Sequence, residues 1–228
     1  IMSGYNIVDH QMIGKHIIFI RINPTDIALT LKEVFDSLSD LAWISAFDGH
    51  YLQTGYKTRA ELSIAYIAAN IIGPNDDAVT SESGEYVVSE LARKTVVDYL
   101  KYLHIPLGDL IKEKEAVNHG FDFFSRNLNE VLLFGEAKYN KRDNAYGTSF
   151  EQIIRFENEK RDHSDLIDID RFCCENSKNN FSKGMKGFIA AFASKKTSTP
   201  KLIAGIKKNR HFIAASKFTE VICIAVNI

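Results

Sequence analysis

Gly120-Phe121-Asp122-Phe123-Phe124 and Val131-Leu132-Leu133-Phe134-Gly135-Glu136-Ala137-Lys138-Tyr139 are the two stretches on which the fold turns. Side chains alternate between faces along a strand, so Glu136 and Lys138 share one face while Ala137 takes the other. A Glu and a Lys ending an otherwise apolar strand on one face are costly to bury unless they are paired or used. Asp122 sits likewise between aromatics. The polar stretch 127–130 makes the two runs an antiparallel hairpin. In that pairing Asp122 and Glu136 converge.

Two carboxylates in a small space repel each other, and a divalent cation relieves the repulsion. Mg²⁺ (or Mn²⁺) takes oxygen ligands and keeps several waters, so two acids suffice without a full protein cage. Lys138 would then orient or deprotonate a water, or hold charge developing on a phosphate. The alternative is a surface salt bridge between Glu136 and Lys138 at a strand end.

Working outward, residues 84–103 form a helical pattern whose core face is Val88, Leu91, Ala92, Val96, Tyr99 and Leu103. Glu85 falls on that face and is assigned to the metal site with Asp122 and Glu136; Glu90 falls with Lys94 and Lys101 on the solvated side. The alternative for Glu85 is a favourable charge at a helix N-terminus. A helix over 149–160 follows the second strand, with Gln152 and Arg155 beside its inward stripe, where either touches a phosphate or simply faces solvent. A further helix is expected near 182–195, with Met185, Phe188, Ile189 and Phe192 at core spacing. The apolar runs 202–206 and 221–226 read as buried strands. Helix, hairpin, helix, then strands is the order of an α/β/α sandwich.

Upstream, 15–22 reads as a strand, and Ile27, Leu31, Val34, Phe35 and Leu38 as one face of a helix. Thr58 and Glu61 make a capping-box pattern opening a helix to about residue 72, apolar nearly all round and therefore expected to be buried. Gly73-Pro74-Asn75-Asp76-Asp77 then breaks the chain. We place the domain boundary there: 1–75 is a small N-terminal α/β accessory region, and 76–228 the domain that carries the chemistry.

A chain of 228 residues, 45% hydrophobic and 25% charged, has the composition of a globular protein. Three cysteines, two of them adjacent (Cys173, Cys174), and seven scattered histidines show neither a disulfide framework nor a zinc pattern. No apolar run reaches membrane-span length, and the N-terminus lacks the features of a signal peptide; the expectation is a cytoplasmic protein without membrane contact. The opening Ile1-Met2 reads as a natural start at Met2. The net charge of -1 hides an asymmetry: residues 178–217 hold ten Lys and Arg, and all 29 acidic residues lie outside that tract. Such a tract suits contact with a phosphate backbone. Lys183, Lys186, Lys207, Lys208 and Arg210, with Gln152, are the expected DNA-binding residues.

Gly120-Phe121-Asp122 followed by Gly135-Glu136-Ala137-Lys138-Tyr139, behind a Gly84-Glu85 helix, resembles the PD-(D/E)XK nuclease superfamily. More narrowly, over residues 84–160 it is similar to the HamA-type nuclease subunit of the Hachiman anti-phage system. The resemblance implies a restriction-endonuclease-like fold for 76–228 and a Mg²⁺-dependent deoxyribonuclease. Its catalytic residues would be Glu85, Asp122, Glu136 and Lys138, and it would serve antiviral defence beside a helicase partner. That family has a lysine just before its Gly-x-Asp; here Lys112 and Lys114 compete for the place. Two rival readings stand beside it. One is a restriction or repair nuclease on the same fold; the other is a DNA-binding or assembly module that does not cut.

Overall fold

The computed structural model describes residues 4–69, 81–112 and 120–228, with the side chains of 81–83 left aside. The protein is a mixed α/β structure around one six-stranded sheet, in the order β1-β2-β6-β5-β4-β3. The strands are β1 (Tyr5–Gly14), β2 (Ile17–Pro24), β3 (Phe123–Arg126), β4 (Leu132–Lys138), β5 (Lys186–Ser194) and β6 (Glu220–Asn227). β2, β6, β5 and β4 run parallel; β1 and β3 pair antiparallel at the two edges. The expected hairpin is present, with Phe123 opposite Gly135 and Phe124 opposite Phe134.

Helices cover both faces. On one face, α1 (Ile27–Ser39), α2 (His50–Ile67) and α3 (Ser81–Lys94) pack on Leu133 and Ala137 of β4, Ile189 and Ala191 of β5, and Ile222 and Ile224 of β6. On the other, α5 (Tyr146–Asn158), α8 (Thr199–Lys208) and α9 (Arg210–Ala215) pack on Leu132, Phe134, Phe188, Ala190 and Val221. A short α4 (Gly108–Ile111) lies between α3 and β3 in sequence, and α6 (Arg161–Ile169) and α7 (Glu175–Ser182) link α5 to β5. Phe121, Phe134, Phe156 and Phe188 meet at ring separations of 5.3–6.2 Å, a tilted and edge-on cluster under the hairpin.

The N-terminal hairpin is not set apart from this sheet. β2 pairs with β6 from Ile17↔Val221 to Ile22↔Val226, so residues 17–22 and 221–226 share one ladder. The Gly73–Asp77 break proposed as a boundary lies outside the described residues.

Four local expectations are replaced, each for a physical reason. Residues 186–194 are a strand, not a helix; all nine are buried. A central strand covered on both faces is apolar throughout, and such a run carries no periodicity that separates it from a buried helix. Met185, expected to pack, is 39% exposed just before that strand. Residues 202–206 belong to α8, which opens at Thr199-Pro200 with Pro in its first turn and buries Leu202, Ile203 and Ile206 at helical spacing. Thr58 lies inside α2 rather than at its start; its hydroxyl bonds back to the Thr54 carbonyl, while Leu62 and Tyr66 face solvent at 67% and 52% exposure.

Candidate active site

Glu136 lies on β4 with Lys138, on the face opposite Ala137, whose side chain joins the core beneath α3. Glu136 is fully buried, and its main-chain oxygen accepts a hydrogen bond from Ser149 at the start of α5. The Lys138 ammonium lies 2.8 Å from Glu136 Oε1 and 3.3 Å from Glu85 Oε2. The Glu136 contact is a close ion pair without hydrogen-bond alignment, and neither carboxylate oxygen of Glu136 has a hydrogen-bond partner. A buried carboxylate in that condition is costly.

Asp122 stands one residue before β3. Its Oδ2 accepts the Ala137 backbone N–H at 2.7 Å, and its own N–H donates to the Gly135 carbonyl at 2.9 Å. The hairpin thus fixes Asp122 against the segment that bears Glu136 and Lys138. Burial pushes the Asp122 carboxyl up to about 7, despite opposition from Lys138 and the Ala137 N–H. Burial, and then the Asp122 charge, push Glu136 well above the usual carboxylate range, with Lys138 again opposing. Burial pulls the Lys138 ammonium down, but Glu136, Asp122 and Glu85 outweigh it and leave the pKa raised. The site therefore gathers three acidic groups around a single lysine.

Glu85 reaches this cluster from α3 and keeps 47% of its side chain in solvent. A Cβ on neighbouring Gly84 would lie 2.2 Å from the Tyr139 ring, so only glycine lets α3 approach the end of β4 this closely. Glu90, expected on the solvated side, is fully buried. Its carboxylate takes both Arg93 Nε (2.7 Å) and Arg93 Nη2 (2.6 Å) and accepts the Ser37 hydroxyl of α1. Packing of α1 on that face of α3 buries it, and a single-helix pattern does not reveal the neighbour.

Two further elements grip the strand entrance. The Lys112 ammonium pairs with Asp165 of α6 at 2.8 Å and donates to the Phe121 carbonyl at 2.8 Å; Asp165 Oδ2 accepts the Phe121 N–H at 2.7 Å. Both are buried, and they clamp both polar groups of the residue preceding Asp122. A Cβ at Gly120 would fall 2.1 Å from Asp165 Oδ1 and 2.4 Å from Lys112 Nζ, so the chain passes the pair as glycine. Lys114, the other lysine weighed for this place, lies outside the described residues. α4 begins with Gly108, whose N–H donates to the Asp122 carbonyl at 2.8 Å. The next residue, Asp109, adds a further acidic charge that raises Asp122. Sequence reasoning missed Asp109 and Asp165, since both reach the site through contacts distant in sequence.

Among the described residues, no group of three or more His, Cys, Asp and Glu side chains is placed to hold a metal ion. The two carboxylates of Asp122 and Glu136 fit a smaller demand, because Mg²⁺ is commonly held by one or two carboxylates with water completing the shell. The buried Glu136 carboxylate, with Oε1 against the Lys138 ammonium and Oε2 without a hydrogen bond, is the observation that favours a cation there.

A scan against protein-family models finds no match, and a search of curated proteins finds no significant relative.

The expected DNA-binding residues divide. Lys183, Lys207, Lys208 and Arg210 are exposed, the last three at the α8–α9 junction, and Gln152 is half-buried on α5. Lys186 is instead buried, with its ammonium paired to Glu157 at 3.0 Å and to Asp162. Both acids come from α5 and α6, outside the acid-free tract, so the lysine is internally neutralised and is not a phosphate contact. No helix of the described residues is long and apolar enough to cross a membrane.

Proposed function

We propose that the protein is a metal-dependent deoxyribonuclease of PD-(D/E)XK type, with Asp122, Glu136 and Lys138 at its centre and Glu85 at the rim. The observation that carries this reading is Glu136: a fully buried carboxylate whose one close polar neighbour is the Lys138 ammonium at Oε1, with Oε2 left without a hydrogen bond, beside a second raised carboxyl. A structural salt bridge does not account for a second acid held against the first. Asp122 and Glu136 would hold Mg²⁺ or Mn²⁺, which supplies Lewis-acid polarisation of a phosphodiester.

The chain's own groups supply the rest. Lys138 holds its proton in this acidic surrounding, which favours electrostatic stabilisation of charge developing on phosphorus over general-base duty. The Ala137 N–H fixes one Asp122 oxygen, and the Lys112–Asp165 pair fixes the main chain before it, so the carboxylate is held in place before substrate arrives. Glu85 bonds Lys138 from the solvent side and limits the ammonium's freedom. A role in antiviral defence beside a helicase, as in Hachiman systems, belongs to this reading through the sequence resemblance.

The test is cleavage of labelled duplex DNA by the purified chain in Mg²⁺ and in EDTA. Metal-dependent cutting that Glu136→Gln abolishes is the expected result. Cutting that persists at an unchanged rate in EDTA, or in Glu136→Gln, rejects the assignment.

A further inference from the structure

The edge of the sheet at which β2, β6, β5 and β4 all end carries a cleft of about 610 Å³ that the chemistry above does not use. Five cations line it, Arg21, Lys141, Arg142, Lys195 and Lys196, and no acidic side chain does. Among the described residues none of the five is ion-paired with a carboxylate side chain; Asp143 follows Arg142 in the chain but does not line the cleft.

Hydrogen bonds hold two of the five cations. Arg21 donates from Nε to Asn227 Oδ1 at 2.9 Å and from Nη1 to Thr199 Oγ1 at 3.0 Å. Thr199 opens α8, so the positive end of that helix adds to the field at the cleft. The Lys195 ammonium lies 4.9 Å over the Tyr139 ring and donates to the main-chain oxygen of Ile228. Burial, and then the nearby Lys141, pull the Lys195 pKa down.

The cleft adjoins the candidate active site. Tyr139 follows Lys138 in the chain, and its ring packs against Gly84, next to Glu85. In sheets with parallel strands, ligands bind outside the carboxyl ends of the strands, which is where both features lie.

We propose that this cleft is a phosphate-backbone track for duplex DNA, leading into the Asp122–Glu136–Lys138 site. The proposal deepens the nuclease reading and rests on it for the identity of the polyanion. The same five cations would hold the backbone without reading sequence, since phosphate contacts fix register and orientation but not base identity.

The experiment replaces three exposed members together, Lys141→Ala, Arg142→Ala and Lys196→Ala, and checks folding by circular dichroism. Binding of a labelled duplex is then followed by anisotropy in Ca²⁺ over a range of salt. Each lost phosphate contact lowers the slope of log affinity against log salt by about 0.9, so the triple variant should show a slope shallower by about 2 to 3. A folded triple variant with wild-type slope and affinity overturns the proposal, as does a wild type that binds no duplex DNA. Cleavage of the same duplex in Mg²⁺ separates the two readings. Wild-type cutting with an unaltered slope in the variant removes only the track. Slope loss without wild-type cutting keeps the track and removes the nuclease.

Discussion

Asp122 in the metal-free protein loses its proton at about 7, against an ordinary value of 3.8, because burial disfavours the charged form. In the unfolded chain the carboxyl ionises at its ordinary value. Across the interval between the two, the folded protein holds a proton that the unfolded chain has released. Stability from that proton is full below about pH 4, declines as pH rises, and is gone above about pH 7. The span from 3.8 to about 7 corresponds to about 4 kcal/mol. Asp122 keeps part of its surface in solvent, which screens the charge, so about 2 kcal/mol is the working figure. For a domain of this size that is roughly 4–8 °C in Tm. Glu136 is lifted in the same direction and adds to the effect. The assay is thermal unfolding in EDTA at about pH 4 and about pH 8, for wild type and Asp122→Asn, which keeps the shape but cannot ionise. The wild type should lose roughly 4–8 °C more than the variant over that range. Mn²⁺ at the higher pH should restore the loss in the wild type alone, by binding the folded state. Equal pH dependence in the two proteins refutes the burial argument, and a wild type indifferent to Mn²⁺ refutes the shared cation.

Two further perturbations follow from the same geometry. Glu90→Ala leaves Arg93 buried without its carboxylate and should cost about 3–5 kcal/mol in denaturant unfolding, whereas Glu85→Ala, at a half-exposed pair, should cost under about 1 kcal/mol yet slow cleavage; the reverse ranking in stability would contradict both placements. Lys112→Ala strands buried Asp165 and should lower stability by about 3–5 kcal/mol, while Lys112→Met with Asp165→Leu recovers most of it but not the cleavage rate. Full activity in that folded double variant would show that the clamp on Phe121 does not position Asp122.

The parts of this structure legible in sequence are those set by local rules. Strand parity put Glu136 and Lys138 on one face, and polar residues between two apolar runs marked the hairpin that brings Asp122 to them. What was not legible depends on partners far along the chain. Lys186 belongs to an acid-free tract by sequence, yet Glu157 and Asp162 enclose it. Glu90 has a solvated helical position until α1 covers it. β5 is apolar at nearly every position because both its faces are covered, so periodicity could not name it as a strand. The basic cleft is assembled from β2, the loop after β4 and the end of β5, and only Lys195 and Lys196 of its cations lie in the tract that charge counting singled out.

The central claim is that these groups act on a phosphodiester rather than on each other, and Lys138 decides it. As one member of an ion pair at a strand end, Lys138 would contribute about 0–1 kcal/mol and its loss would leave activity untouched. As the charge that meets the transition state, it acts mainly in the chemical step. The measurement is the cleavage rate of labelled duplex DNA in Mg²⁺ for wild type and Lys138→Ala, paired with their duplex affinity in Ca²⁺. The account predicts that Lys138→Ala binds DNA nearly as the wild type does and does not cut it; a Lys138→Ala protein that cuts at the wild-type rate contradicts it.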